Sequence, residues 1–392
     1  MKYNFDKRIS RNNTDSVKYD LVKPLFGSEN ILPMWVADMD FEVPEFIREA
    51  LIMRAEHPVY GYSFRSGRYY ESIAMWMEKR HGWKLTPEHI DFSPGVVPAL
   101  VLCVLAYTKP GDKILVQTPV YFPFFSSIVD HDRVLVNNQL IDQDGEYRMD
   151  FEDLERKFKE GVRMMLFCHP HNPVGRVWRK EELVTLAKLA NTYDVLILSD
   201  EIHSDLVLFG HKHIPFATVD EEVASRTITC IAPSKTFNLA GLHTSAVIIE
   251  DVKRKKQYEK ILQEIHVGGG NLFGAVALEA AYSMGEEWLE QLLSYLEGNF
   301  TFLRNFIDES NLDVRVSPLE ATYLAWLNFK SFGLDDKSLM DFMVKEAKLG
   351  LSDGPRFGAG GEQYLRMNIA APQSVIEQAL EQMKRAFEKK RK

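Results

Sequence analysis

The chain has 392 residues, with 47 Lys and Arg against 56 Asp and Glu, a formal net charge of −9, 45% hydrophobic residues and 26% charged ones. Such a chain can bury a large core, and its 23 Gly and 17 Pro exclude a fibrous or low-complexity protein. The acidic balance offers no broad attraction to nucleic acid or anionic lipid.

The opening stretch MKYNFDKRISRNNTDS carries charge and Asn where a secretory signal needs an apolar run, so export is not expected. The longest apolar run, Val96–Tyr107, is about half of a membrane span and contains Pro98, and it reads as a buried helix. Between about residues 90 and 250, short runs rich in Val, Ile and Leu alternate with segments of helical period. The runs KILVQ (113–117), RVLVNN (133–138), RMMLFC (163–168), VLILSD (195–200), RTITCIA (226–232) and TSAVII (244–249) read as strands. Residues 150–161 and 179–194, with apolar positions three and four apart, read as the helices that cross between them. The pattern predicts an α/β fold with a mostly parallel sheet flanked by helices. From about residue 285 it changes to a long amphipathic helix over 286–310, an apolar run at 321–329, a helix near 337–348 and a final helix from Pro372, a smaller α+β unit. The expected division is a large domain over 45–285 and a small domain formed by 1–44 and 286–392. Cys103, Cys168 and Cys230 each lie in an apolar run without metal-ligand spacing, which predicts reduced core thiols, no metal and a cytoplasmic location.

Four motifs fall at or just beyond the C-terminal ends of predicted strands, where open parallel sheets build ligand sites. In Ser93-Pro-Gly, the amides of Gly95, Val96 and Val97 would be free at a helix N-terminus to bind phosphate, although the same tripeptide makes an ordinary turn. In CHPHNPVG (168–175), prolines on both sides of His171 and Asn172 would hold the Asn172 amide outward, or simply form a rigid turn. The apolar strand before Asp200 delivers a carboxylate that needs a cation or hydrogen-bond donors; a protonated ring nitrogen, a Lys or Arg, or the following turn would each serve. His203, three residues on, faces the same cavity or is structural. In APSKTFN, Lys235 follows a hydrophobic strand, where desolvation would favour the neutral amine of a nucleophile, unless it is a solvated surface lysine.

The order of these motifs resembles the fold-type I pyridoxal-phosphate enzymes of the aminotransferase class I/II superfamily over nearly the whole chain. More narrowly, WVADMDF (35–41), VYGYS (59–63), SPGVVPA (93–99), PVYFPF (119–124), PHNPVGRVW (170–178), SDEIHSDL (199–206), SKTFNLAGL (234–242) and LRMNIAAP (365–372) resemble the MalY/PatB group of cystathionine β-lyases and related carbon–sulfur lyases. The resemblance implies pyridoxal 5′-phosphate bound covalently to Lys235, which later takes the substrate's Cα proton. It implies Asp200 against the ring nitrogen, Tyr121 stacked on the ring, and Asn172 and His203 flanking the phenolic oxygen. The phosphate would take the amides after Gly95, the Ser234 hydroxyl and Tyr62 of a second subunit, making the enzyme a homodimer with shared sites. Arg366 would hold the substrate carboxylate, helped by Asn172 and the backbone near Ala37. Where many relatives carry an arginine eight residues after the lysine, this chain has His243. The glycine-rich turn 268–274 resembles a segment that enters the partner's site, and equally reads as a flexible loop. The implied reaction is cleavage of L-cystathionine or another cysteine S-conjugate to thiol, pyruvate and ammonia. Transamination shares its residues, and a regulatory protein-binding role is the alternative without catalysis.

Overall fold

A computed structural model describes residues 3–310 and 312–391. Seven strands form one sheet in the order 90–93, 245–248, 227–231, 196–200, 162–168, 113–116, 134–137. Every neighbouring pair is parallel except those involving Ser245–Ile248, which runs antiparallel to both of its partners. All six expected strands form, within a residue or two of the expected ends. Ile90–Ser93, too short and too charged to stand out before the Ser-Pro-Gly turn, is the seventh.

Both faces of the sheet are covered. Val96–Tyr107 buries Ala99, Leu100, Cys103 and Val104 on one face, and its apolar surface allows no other position. Phe151–Lys159 and Lys180–Thr192 cover the other face through Leu154, Phe158, Leu183, Leu186 and Ala190. The first of these is capped by Asp150, which accepts the N–H of Asp153. All three cysteines are buried and free.

The C-terminal third forms a second sheet of four strands, ordered 315–316, 324–328, 364–368, 352–353 and antiparallel throughout. The 24-residue helix Glu286–Glu309 leads into it and Gln373–Arg391 packs against that helix. A single apolar cluster, from Phe5 and Met34 to Phe387, joins the N-terminal residues to this region. Among the described residues no helix is long and apolar enough to cross a membrane.

The short helical turn Gly354–Phe357 connects the second sheet to the first, because the Phe357 carbonyl accepts the Val120 N–H at 2.8 Å. At Gly354 a Cβ would collide with the carbonyl oxygens of Gly361 and Tyr364, so backbone packs on backbone there. Gly354→Ala is therefore expected to cost roughly 3 kcal/mol or more, the upper end for an overpacked core position. Chemical denaturation of variant and parent would measure this, and an unchanged midpoint would show that the turn can shift freely.

Candidate active site

The strand ends at Ser93, Cys168, Asp200 and Ile231 open on the same edge of the large sheet, so the segments that follow them converge there. They enclose a cavity of about 390 Å³ lined by Ala37, Gly95, Val96, Val97, Tyr121, Asn172, Asp200, His203, Ser234 and Lys235, together with Ile202, His243 and Thr244. That volume is in the range of small-molecule sites.

Lys235 lies on the four-residue helix Pro233–Thr236, its amine buried and donating to the Ala37 carbonyl at 2.6 Å. Burial, and then the positive charge of Arg366, lower its pKa from 10.5 to about 8, so a substantial fraction is the neutral amine near physiological pH. It is not a solvated surface lysine. Asp200 is 5% exposed and accepts the Ile202 N–H at 3.1 Å, the turn contact. No cation closes an ion pair with it among the described residues, and burial pushes its carboxyl up to about 7. A donor brought into the cavity opposite Asp200 would therefore stabilise the anion.

His203 is buried and held neutral by desolvation, and its Nδ1 has no hydrogen-bond partner. Gly95 to Val97 begin the apolar helix and present its first amides to the cavity wall, the arrangement that binds anions. His243 stands in a left-handed conformation, φ 46°, beside them.

Arg366 lies on Tyr364–Asn368, buried beside the cavity. It donates to Asn172 Oδ1 at 2.9 Å, the Trp35 carbonyl at 3.2 Å and Ser352 Oγ at 3.3 Å, while its Nε has no partner. Its guanidinium lies 4.8 Å from the centre of the Phe357 ring, and desolvation lowers its pKa to about 10. The Asn172 amide is thus fixed by Arg366 as well as by its prolines. The Ala37 carbonyl is occupied by Lys235 and by the Tyr323 hydroxyl at 3.0 Å, so any contact between Ala37 and a carboxylate falls to its N–H. Sequence reasoning missed Tyr323, Ser352 and Thr244, which sit inside ordinary strand-like runs that carry no motif. Tyr62 is fully exposed and does not line the cavity of its own chain.

The cavity thus combines an amine of lowered basicity, a buried carboxylate without a cation, a guanidinium with donor capacity left and a helix N-terminus. It suits a ligand with an electrophilic carbon, a cationic N–H and two anionic ends, and pyridoxal phosphate joined to an amino acid has those features. The chain matches the family described as "Aminotransferase class I and II" over residues 30–383. It is 44% identical over 385 residues to cystathionine β-lyase PatB of Bacillus subtilis, covering 98% of this chain and 100% of that one. Cystalysin from Treponema denticola, whose crystal structure contains a pyridoxal 5′-phosphate cofactor, is 35% identical with a TM-score of 0.96 over 99% of this chain and 100% of its own. A pyridoxal-phosphate-bound C–S lyase from Staphylococcus hominis, complexed with L-cycloserine, is 35% identical with a TM-score of 0.92 over 99% of both chains.

The lowered basicity of Lys235 has a direct readout. Reductive alkylation of the apoprotein by a small aldehyde, followed at Lys235 by peptide mapping, is expected to rise about ten-fold per pH unit and to level off above about 8, as the amine loses its proton. Arg366→Gln removes a positive neighbour and should move the break upward. A break near 10.5 in the parent would contradict this account of the site.

Proposed function

The chain belongs to the aminotransferase class I and II family, and on that basis we propose that it is a pyridoxal-phosphate-dependent carbon–sulfur β-lyase. It cleaves L-cystathionine or a related cysteine S-conjugate to a thiol, pyruvate and ammonia. The observation that carries this reading is the buried Lys235 amine, lowered to about 8, in one cavity with Asp200 and beside the Arg366–Asn172 pair. PatB, cystalysin and the Staphylococcus lyase support the lyase reaction over transamination.

Bound pyridoxal phosphate supplies the electron-withdrawing ring that acidifies the substrate's Cα–H. Lys235 anchors the cofactor and then takes the Cα proton, a role that requires the neutral amine its burial favours. Asp200 would hold the ring nitrogen's N–H and keep it protonated; burial makes its lone carboxylate a strong acceptor. Tyr121 would hold the ring by stacking, and Asn172 and His203, whose Nδ1 has no partner, would hold the phenolic oxygen. The amides of Gly95, Val96 and Val97, the Ser234 hydroxyl and His243 hold the phosphate. Arg366 holds the α-carboxylate through a planar fork that Asn172, Trp35 and Ser352 already orient.

On this reading residues 45–285 supply the groups that hold the cofactor, whereas Ala37 and Arg366, which meet the amino acid, come from 1–44 and 286–392. Tyr62 points to a further contribution from a second copy. It is exposed together with Val59, Tyr60 and Phe64, an apolar run that a lone chain gains nothing by presenting. A homodimer that places this run over the partner's phosphate site covers it and completes the site. The three free buried cysteines are compatible with a cytoplasmic location.

Incubation of the purified protein with L-cystathionine, with and without an added keto acid, is expected to release thiol, pyruvate and ammonia irrespective of the keto acid. Lys235→Ala should lower turnover by several orders of magnitude. Dependence on the keto acid would mark a transaminase instead.

Shared sites are tested by mixing Lys235→Ala with Tyr62→Phe, once each has been shown to be impaired. Random reassociation of equal amounts makes about half of the dimers hybrids with one intact site each, so activity should recover to roughly one quarter of the parent. Activity no higher than the two variants give separately, despite confirmed hybrids, would assign Tyr62 to its own subunit.

A further inference from the structure

Arg356 is an exposed arginine outside the cavity lining that closes no ion pair among the described residues. It belongs to the turn Gly354–Phe357, whose last residue, Phe357, supplies the ring beneath Arg366. Its guanidinium lies 4.6 Å from the centre of the Phe122 ring. Phe122 in turn contacts Phe357 edge-on at 6.2 Å and the cavity-lining Tyr121 at 5.2 Å. Two aromatic rings therefore form a wall with one arginine on each: Arg366 on Phe357, buried, and Arg356 on Phe122, exposed.

This arrangement is rigid where a surface arginine is ordinarily free. The bond from the Val120 N–H to the Phe357 carbonyl holds the turn, and Gly354 packs backbone against backbone. Stacking on Phe122 leaves the edge N–H groups of the guanidinium available, the presentation that suits a carboxylate. The charge balance points the same way. The protein carries a net charge of −9, yet three cations follow one another here: Arg366 is close enough to Lys235 to disfavour its protonated form, and Arg356 is among the charges that do the same to Arg366. Asp353, three residues earlier, feels the charge of Arg356 without closing an ion pair with it.

We propose that Arg356 is a specificity-determining residue that receives the carboxylate at the far end of the substrate, so that the preferred substrates are cysteine S-conjugates with an anionic group on the departing thiol. The inference rests on the β-lyase reading and narrows it. A thioether that joins two amino-acid halves, as L-cystathionine does, holds its carboxylates about 9 Å apart when extended, from ordinary bond lengths. The two rings between the guanidinium groups have their centres 6.2 Å apart. Arg366 takes the carboxylate next to the reacting carbon, and Arg356 takes the one that leaves with sulfur.

The test compares L-cystathionine with S-ethyl-L-cysteine, whose leaving group is uncharged, on the holoenzyme and on Arg356→Gln. The variant is expected to raise KM for L-cystathionine on the order of ten-fold or more, with kcat and the S-ethyl-L-cysteine constants nearly unchanged, the loss of one charge-assisted pair. Arg356→Lys should recover part of the difference. Binding without turnover gives a second readout. Adipate, with two carboxylates, should bind the variant about ten-fold more weakly by perturbation of the visible band, while hexanoate should bind both proteins alike. Equal effects on both substrates, or none on either, would overturn the assignment of Arg356 and leave the lyase reading intact. A parent that eliminates neither substrate would overturn both.

Discussion

The site depends on how residues 35–41 are held. This segment turns through successive bends and belongs to no strand, so its backbone must find hydrogen bonds elsewhere. The Trp35 carbonyl accepts from Arg366 and Ser352, the Val36 and Asp38 carbonyls from the Asn368 amide, and the Ala37 carbonyl from Lys235 and Tyr323. Asn238, three residues after Lys235, accepts the Met39 N–H and donates to the carbonyls of Met39 and Phe41. One strand of chain is thus sewn to the lysine loop on one side and to the arginine strand on the other. The spacing between the amine and the guanidinium follows from those stitches.

Charge reinforces the same segment. Lys18, with no exposed surface, pairs with Asp40 at 2.7 Å, and Arg11 pairs with both Asp38 and Asp40. Tyr19 donates to Asp40 at 3.0 Å. Burying such ions is costly and gains little net stability over an apolar packing of equal volume. What the cluster does provide is direction: Asp40 is held by Lys18, Arg11 and Tyr19 together and Asp38 by Arg11, so residues 38–40 are fixed from several sides. Asp38 also lies close enough to Lys235 to favour its protonated form, opposing burial and Arg366.

Much of this was legible in the chain. The strands ending at Cys168, Asp200 and Ile231 are mainly apolar and, apart from Arg163, wholly buried, and a parallel sheet covered on both faces demands that pattern. The convergence of Gly95, Asn172, Asp200 and Lys235 followed from their positions at strand ends. The antiparallel direction of Ser245–Ile248 was not legible, because an apolar run of four residues reads the same in either direction. Asn238, Asn368 and Tyr323 were missed for another reason: each acts through a hydrogen bond to backbone far away in sequence, and a backbone acceptor has no residue signature. Arg356 resembles any loop arginine until the rings of Phe122 and Phe357 are seen on either side of its turn.

The bond from Arg366 to the Trp35 carbonyl joins residues 331 apart in sequence, and those from Asn368 to the carbonyls of Val36 and Asp38 span 332 and 330. Contacts of such separation form late, since the loop they close must first be ordered. During synthesis the large sheet and the lysine loop emerge well before the strand Tyr364–Asn368. A partly made chain therefore carries Lys235 without Arg366, and without the strand that anchors residues 35–38 beside it. The part of the amine's lowered basicity that Arg366 supplies arrives only when nearly the whole polypeptide has left the ribosome, which ties full reactivity to completion of the chain.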